Sequence, residues 1–362
     1  MNCVNEEAKK ADRKMSSGKF GGKLLAGVLA LCLIPAVPLG TYAVSSENSA
    51  AASVSLPKRF NFDGPAAEVI RQKPLHNGTV MQSFAFDNVN EHVYVLQLMS
   101  GGQQLPDESE PVSGAVRSAN GDMTLTKLDL SGNKLGYMFL KGFGHGVQMG
   151  VETDGDSTYL WTETDSVTEG TSGWGTKIAR FTFEDGKILT PDSPELEKFA
   201  PIPGADRTTV NIDMSDHLLT MRYRLKGEFR YAVYRLEDVK EHRYTPIADV
   251  PQPAVGTFQG FASYRGYLYL LEGTSYGSAG SVEPLGNTYI TTVKLDTGEV
   301  VGKTLVLAGT SLPFREPEGM GLRIPDASKP NEVELNVGFA SDFSPTRLAN
   351  IFSVSRLPQQ CN

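Results

Sequence analysis

From residue 58 onward, hydrophobic and polar residues alternate along the chain with a period close to two. Short runs rich in Val, Ile, Tyr, Phe and Thr are separated by turns of Gly, Asp, Asn and Pro, with almost no helical stretch between them. Successive side chains of a β-strand point to opposite faces, so this pattern predicts short strands throughout. The predicted fold class is therefore all-β.

The strand pattern occurs five times. Each copy begins with a polar residue and continues with a small or apolar strand, a polar turn and a stronger apolar strand. The copies are QSFAFDNVNEHVYVLQ (82–97), QMGVETDGDSTYLWTE (148–163), TVNIDMSDHLLTMRYR (209–224), QGFASYRGYLYLLEG (259–273) and EGMGLRIPDASKPNEVELNVG (318–338). Their starts are 66, 61, 50 and 59 residues apart. Four strands at such a period are typical of a propeller blade, so we predict one β-propeller with five blades of four antiparallel strands.

The last copy contains only three evident strands, GMGLRI, EVELNVGF and ANIFSVSRL. We expect the fourth to come from the N-terminal segment, either around 57–63 or around 67–72. This strand would close the ring by pairing the beginning of the propeller with its end. Closure removes the exposed strand edges that otherwise favour aggregation.

The N-terminal residues differ from the rest of the chain. Basic residues precede the apolar run LLAGVLALCLIPAVPLG at 24–40, and small residues follow it. Residues 1–43 are therefore predicted to be a helical signal peptide, with an uncleaved membrane anchor as the alternative. Residues 44–57 are predicted to be a flexible linker, and 58–362 the propeller. The protein is accordingly expected to be secreted or attached to the cell envelope, and to meet a membrane only through an uncleaved N-terminal segment.

Charge and cysteine content narrow the possible partners. The formal net charge is −8, and it becomes about −11 when the six basic and three acidic residues before position 24 are removed. A charge of this sign argues against nucleic acid as a partner. Only Cys361 lies outside the targeting segment, which excludes an intramolecular disulfide and a cysteine-based zinc site. The histidines lie in separate repeats, so no metal site or cofactor is predicted, although a structural cation stays open.

Three glycine-containing motifs resemble catalytic or phosphate-binding motifs but have the wrong context. Residues 273–277 have the GxSxG spacing of a nucleophile elbow, yet a flexible loop follows them where a helix is required. Residues 298–304 are one residue short of a P-loop and lie in a predicted hairpin. Residues 142–146 are predicted to connect blades one and two, with an anion-binding nest as the alternative. These motifs do not predict an enzyme, and catalysis stays open.

The polar residues that open the repeats are the first candidates for a binding site. Because the innermost strand of each blade lines the central channel, equivalent positions converge in space. The candidates are Gln82, Gln148, Gln259 and Glu318. Their amides and carboxylate could hold a polyhydroxylated ligand, or could satisfy one another and channel water, and the sequence leaves both open.

Four further residues are candidates for the rim of that site. His145 lies at a blade junction beside Gln148, where a structural hydrogen bond is the alternative to a ligand contact. Trp174 is expected to be exposed in the loop GTSGWGT, where its ring could stack on a sugar. Arg222 belongs to an alternating strand with one basic face, which could meet phosphate or be an ordinary solvated surface. Glu272 could serve as an acid–base group together with Glu163.

Parts of the chain resemble a known family. The segments IRQKPLHNGTVMQSFAFDNVNEHVYVLQ, GDMTLTKLDLSGNKLGYMFLKGFGHGVQMGVE and YLWTE resemble exported actinobacterial proteins labelled teichoic acid biosynthesis protein C-like, which share a propeller with receptor-binding tail proteins of staphylococcal phages. The resemblance is strongest over 68–185 and extends to 357. It implies a five-bladed propeller that engages a cell-wall glycopolymer, and it carries no catalytic motif.

The leading functional hypothesis is an exported protein that binds a carbohydrate or a teichoic-acid-like glycopolymer at the channel mouth. The alternatives are a glycan-processing enzyme, either a lyase or a hydrolase, and a propeller scaffold for protein interactions. A chain of charge about −11 repels a polyphosphate at long range. Binding of such a polymer would therefore require a local basic strand, bridging cations or recognition of sugar substituents.

Overall fold

The computed structural model describes residues 59–357, so the predicted signal or anchor segment and the predicted linker lie outside the described residues. In that part of the chain no helix is long and apolar enough to cross a membrane. The first strand is β1 (Ala67–Pro74). Blade one follows it and consists of β2 (Met81–Asp87), β3 (His92–Leu98), β4 (Met123–Asp129) and β5 (Lys134–Leu140).

Blade two has four main strands and a small additional hairpin. The main strands are β6 (Gly150–Asp154), β7 (Ser157–Thr164), β10 (Lys177–Thr182) and β12 (Glu197–Phe199). The hairpin lies between β7 and β10 and contains β8 (Val167–Glu169) and β9 (Ser172–Trp174). Between β10 and β12, the short strand β11 (Ile188–Leu189) pairs in parallel with β5 and so extends blade one to five strands.

The remaining blades each form a four-stranded antiparallel sheet. Blade three contains β13 (Asp206–Asp213), β14 (Leu218–Leu225), β15 (Glu228–Arg235) and β16 (Ala248–Pro251). Blade four contains β17 (Phe258–Tyr264), β18 (Tyr267–Glu272), β19 (Tyr289–Lys294) and β20 (Val300–Leu305). Blade five contains β21 (Glu316–Arg323), β22 (Val333–Ser341) and β23 (Leu348–Leu357). The predicted all-β propeller with five blades is confirmed.

Strand β1 completes blade five by pairing antiparallel with β23, with Ile70 opposite Ile351. The candidate closing strand at 67–72 is therefore the one that pairs. Ile70 is buried in an apolar cluster that also contains Phe84 of blade one. The other candidate segment forms no strand over its described residues, and Phe60 instead packs between blades four and five.

The connections that leave the second strands of the blades lie on one face of the propeller. Each innermost strand begins, and each second strand ends, on what we call the mouth face. Long connections leave the second strands there at 99–122, 165–176, 273–288 and 342–347. The first of them contains α1 (Gly114–Asn120), whereas α2 (Leu236–Lys240) lies on the opposite face. Long loops carried by a rigid scaffold are where binding residues concentrate, so the mouth face is the place to search for a site.

Apolar side chains fill the spaces between neighbouring blades. Between blades one and two, for example, Leu125 and Met138 pack with Leu160 and Phe181. These side chains come from alternate positions of their strands, as the period of two predicts. The packed blades hold the five innermost strands rigidly around one axis.

Candidate functional site at the propeller mouth

The innermost strands of four blades have a β-bulge at the mouth face. In β2, Met81 pairs with Gln97 while Ser83 pairs with Leu96, which leaves Gln82 as an extra residue. Such an extra residue leaves the ladder and interrupts the alternation of side chains between the two faces. The register shifts in the other three strands occur around Arg207–Thr208, Gln259 and Glu318–Gly319. Three of the polar residues that open the sequence repeats thus occupy equivalent bulges.

The bulged residues Gln82, Gln259 and Glu318 line a cavity of about 700 Å³ on the mouth face. Its walls include the loop residues Ser100, Gly101, Gly114 and Ser118 of blade one. The structure brings together four of the eight predicted site residues, namely Gln82, His145, Gln259 and Glu318. Two further charged residues line the cavity, Glu316 and Arg347.

Sequence reasoning missed Glu316 and Arg347. Glu316 stands two positions before Glu318, so its spacing was a usable signal for a shared strand face. Arg347 is the last residue of the β22–β23 loop. Nothing in the repeat pattern places that loop over the channel, so Arg347 had no comparable signal.

Gln148 lies beneath the cavity and closes the channel. Its side chain is fully buried, donates to the carbonyls of Met149 (3.1 Å) and Met320 (2.8 Å), and accepts from the amides of Phe261 and Met320 (both 3.2 Å). One glutamine of blade two therefore joins the innermost strands of blades four and five. A ligand can enter the mouth but cannot thread through the axis at this level.

Close approach of the inner strands reinforces this closure. At Gly260, where φ is 146°, an added Cβ would stand 2.8 Å from Cα of Gly319 and 3.1 Å from Oε1 of Gln148. Only glycine tolerates both this backbone conformation and this proximity. The channel is thus closed both by the Gln148 side chain and by the close approach of the backbone at Gly260 and Gly319.

Glu318 is the least compensated acidic group in the cavity. Only 5% of the residue is exposed, and within residues 59–357 no hydrogen-bond donor contacts its carboxyl group. Burial and the neighbouring carboxyl of Glu316 raise the pKa of Glu318 well above its ordinary value. Burial also raises the pKa of Glu316, while the guanidinium of Arg347 partly opposes that rise. Perturbed and unpaired carboxyl groups in a concave surface are typical of functional sites.

His145 connects the cavity to a stack of aromatic and cationic groups. Its ring stacks on Trp174 with centroids 4.6 Å apart, and the guanidinium carbon of Arg207 lies 4.2 Å from the Trp174 ring centroid. Burial and the nearby Arg207 lower the pKa of His145 to about 4, so the imidazole is neutral at pH 7. Its Nδ1 atom has no hydrogen-bond partner among the described residues.

The prediction that Trp174 is exposed in a loop is wrong. The residue is half-buried at the end of β9, because the loop folds into a hairpin that packs against the end of α1. Contacts with His145 and Arg207 occupy its ring. Trp174 therefore supports the rim and does not line the cavity.

Arg222 does not belong to an exposed basic strand face. The residue is 5% exposed, and its guanidinium lies 3.9 Å from the Phe229 ring centroid and 3.8 Å from that of Phe258. Its Nε donates to Gln252 at 2.8 Å. Two aromatic rings thus cover the charge that the alternating pattern assigned to a solvent or phosphate surface, and the structure places Arg222 outside the cavity.

Glu272 and Glu163 are held by backbone amides and do not line the cavity. Glu272 is buried, accepts from the amide of Gly256 at 2.8 Å and pairs with Lys303. Glu163 accepts from His145 and Gly146 at 2.9 and 2.7 Å, and from the amide that follows Trp174 at 2.6 Å. These carboxylates fasten loops to their blades. The carboxyl groups that face the cavity are Glu316 and Glu318.

No three His, Cys, Asp or Glu side chains of the described chain are grouped so as to hold a metal ion. The carboxylates of Glu152 and Asp154 belong to an ion-pair network. Glu152 is buried and accepts from Trp161 Nε1 and Arg180 Nε, both at 2.8 Å, and from Lys240 at 3.0 Å. The network ties β6 to β7, β10 and α2, on the opposite face from the mouth.

Comparison with known proteins supports the same architecture. A protein of Bacillus subtilis (strain 168), named as a candidate major teichoic acid biosynthesis protein C, is 26% identical over 303 residues, which cover 81% of this chain and 63% of the relative. The tail fibre of Staphylococcus aureus phage P68 superposes with a TM-score of 0.58 at 18% identity, over 80% of this chain and 52% of the fibre. This chain thus spans less than two thirds of either protein.

The family comparison covers most of the propeller. Residues 80–353, from the end of the first interblade connection to the last strand, match the model of the phage 5-bladed β-propeller receptor-binding platform domain. The matched region includes all five innermost strands and every residue that lines the mouth cavity except Gly78 and Thr79. The chain therefore belongs to the family of phage five-bladed β-propeller receptor-binding platform domains.

Proposed function

We propose that this protein is exported and binds a carbohydrate or teichoic-acid-like glycopolymer of the cell envelope at the propeller mouth. One observation carries the proposal: polar residues on equivalent bulges of three blades converge on a single cavity. The family and the teichoic acid association in the name of the B. subtilis relative support the same ligand class. Localisation outside the cytoplasm rests on the N-terminal sequence pattern.

The hydrogen-bonding state of the cavity suits a sugar ligand. The Gln259 amide nitrogen donates to the Gly273 carbonyl at 3.1 Å, which leaves its Oε1 as an acceptor. Gln82 makes one long contact, 3.5 Å, to the carbonyl of Met81. Side chains that the fold holds in place, but that have unused hydrogen-bond donors or acceptors, can exchange water for ligand hydroxyl groups at low entropic cost. A polymer would lie across the mouth, because Gln148 closes the channel below.

The direct test is binding of purified cell-wall glycopolymer to the soluble propeller. We expect retention of the wild-type protein on the wall polymer and at least tenfold weaker binding by the double variant Gln82→Ala/Gln259→Ala. The matched control is Glu91→Gln, in the β2–β3 turn on the opposite face, which should bind like the wild type. Absence of wild-type binding to every wall fraction would refute the proposal, as would equal binding by the double variant.

A glycan-processing enzyme is the second candidate, favoured by one observation. Glu316 and Glu318 place two carboxyl groups in the same cavity, and the raised pKa of Glu318 favours the protonated form that a general acid requires. This activity predicts release of new reducing ends from the bound polymer. Glu318→Gln should abolish that release while binding persists, and a polymer that the wild type leaves intact would rule the activity out.

A further inference from the structure

We propose that the mouth cavity selects a ligand group that carries a positive charge, an ammonium on a sugar or polymer substituent, over a neutral or phosphorylated counterpart. The inference rests on the proposed function for the place of binding and adds the chemical class of the group that is recognised. It also addresses how an acidic protein can engage an envelope polymer. The observations are the balance of acceptors and donors, the unpaired carboxyl group and the local charge.

Several hydrogen-bond acceptors of the cavity have no partner in the described chain, whereas some of its donors are already used by the protein. The hydroxyl of Thr79 donates to the Leu98 carbonyl (2.7 Å), that of Ser118 donates to the Thr171 carbonyl (3.0 Å), and the Gln259 amide is also committed to the protein. The carboxyl groups of Glu316 and Glu318 and the amide oxygens of the two glutamines make no such contacts in the described chain. A group with several donors and no acceptor complements this lining, and an ammonium is such a group.

Glu318 is the strongest single indication. The residue is 95% buried and its carboxyl group has no donor partner in the described chain, whereas native structures normally satisfy such groups. Its exposed edge opens only onto the cavity. A cation placed there would supply the missing partner of the ionised carboxylate, whereas a phosphate would bring further negative charge beside two acidic groups.

The only guanidinium in the cavity lining is partly occupied. Arg347 stacks over the Phe314 ring with its guanidinium carbon 3.4 Å from the centroid, and it donates to the carbonyl of Asp342. The remaining titratable groups that face the cavity are Glu316, Glu318 and the neutral His145. The lining thus contains two acidic side chains and one cationic side chain. Burial raises the pKa of Glu318, so a bound ammonium would release its proton.

Three glucosides that differ at one position test the selectivity by calorimetry at pH 7: methyl 6-amino-6-deoxyglucoside, its N-acetyl derivative and methyl glucoside 6-phosphate. We expect the amine to bind at least tenfold more tightly than the acetamide, and the phosphate to bind more weakly than either. The amine should also release protons, seen as a heat that depends on the ionisation enthalpy of the buffer. Equal or tighter binding of the acetamide or the phosphate would overturn the inference.

Two variants connect the selectivity to the cavity. Glu318→Gln keeps the size of the side chain and should reduce the preference for the amine at least tenfold. Gln82→Lys adds a cation at the neighbouring bulge and should reverse the preference toward the phosphate. Glu91→Gln on the opposite face is the control and should retain the wild-type preference, and a preference that survives both cavity variants contradicts the inference.

The same titrations with purified wall polymer separate this inference from the proposed function. If the polymer binds at the mouth but the amine is not preferred, the proposed function stands and the charge selectivity falls. If the amine is preferred but no polymer binds, the selectivity stands and the proposed function falls. If neither binds, both fall.

Discussion

Gln148 of blade two forms a two-way hydrogen-bonded contact with the backbone of Met320 in blade five, accepting from its amide at 3.2 Å and donating to its carbonyl at 2.8 Å. The contact crosses the propeller axis, and a further bond from the Phe261 amide brings in blade four. A side chain that looked like a ligand contact is thus a structural plug. It separates a polar mouth from the rest of the axis.

Gln148→Ala should therefore destabilise the fold more than it affects ligand recognition directly. The change leaves backbone groups of Met149, Phe261 and Met320 unpaired in a buried place, which we expect to cost about 3 kcal/mol of unfolding free energy. Urea denaturation measures this loss. Gln259→Ala, at the half-buried rim, is the control and should cost less than about 1 kcal/mol; similar costs for the two variants would contradict the assignment of Gln148 as a plug.

Closure of the ring by β1 predicts a large effect at Ile70. Its side chain is 2% exposed and lies where β1 pairs with β23, so Ile70→Ala should lower the unfolding free energy by about 3 kcal/mol. Glu68→Ala, on the exposed part of the same strand, should change it by less than about 0.5 kcal/mol. Thermal and urea unfolding of the pair test the closure, and an unchanged stability of Ile70→Ala would contradict it.

The wall of the cavity formed by 99–122 depends on Arg117. This fully buried guanidinium pairs with Glu108 and, at 3.1 Å, with Asp122. Arg117→Met removes the ion-pair partner of Asp122 and leaves Glu108 with Lys141 alone, at 3.0 Å, which should cost about 3–5 kcal/mol. Limited proteolysis should then cut within 99–122 first. The exposed pair that Arg71 forms with Glu68 provides the control, because Arg71→Met should cost less than about 1 kcal/mol.

His145 should make stability fall in acid. Its pKa of about 4 in the folded state lies below the 6.5 of an unperturbed histidine, so between these values the unfolded chain binds the additional proton. The neutral imidazole makes its full contribution to the unfolding free energy above pH 6.5. This contribution decreases as the pH falls toward 4, by at most about 3 kcal/mol. His145→Gln should flatten this part of the pH–stability curve. An unchanged curve would show that the imidazole titrates normally.

Glu318 should produce a dependence of opposite sign. Because its pKa is raised in the folded state, the folded chain retains a proton that the unfolded chain releases. Stability from this group is present at acidic pH and is lost as the pH rises above the ordinary carboxyl range. The unfolding free energy of Glu318→Gln minus that of the wild type should therefore be larger at pH 8 than at pH 5. No difference between the two pH values would mean that the carboxyl is not buried as described.

The period of two and the five repeats were enough to predict the propeller, because each blade buries the same alternate positions of its strands. The repeats also located Gln82, Gln259 and Glu318, since equivalent positions of innermost strands converge around one axis. Gln148 occupies the same repeat position but stands two residues before β6 begins, so it turns inward.

The remainder of the site depends on contacts between distant segments. Trp174 is covered because β8 and β9 fold back onto α1, and Arg222 is covered by Phe229 and Phe258. Alternation along a strand assigns a side chain to a face but does not say what covers that face. Arg347 reaches the cavity by the course of a loop, which periodicity does not describe.

The central claim is that an envelope polymer is bound at the mouth, and hydrogen–deuterium exchange with and without saturating wall glycopolymer tests it most directly. The account predicts slower exchange in the mouth loops at 99–101, 114–118 and 344–347, with no change in the opposite turns at 88–91 and 214–217. The protection should be lost in Gln82→Ala/Gln259→Ala. Protection confined to the opposite face or to the outer strands, or the same mouth protection in the double variant, would contradict it.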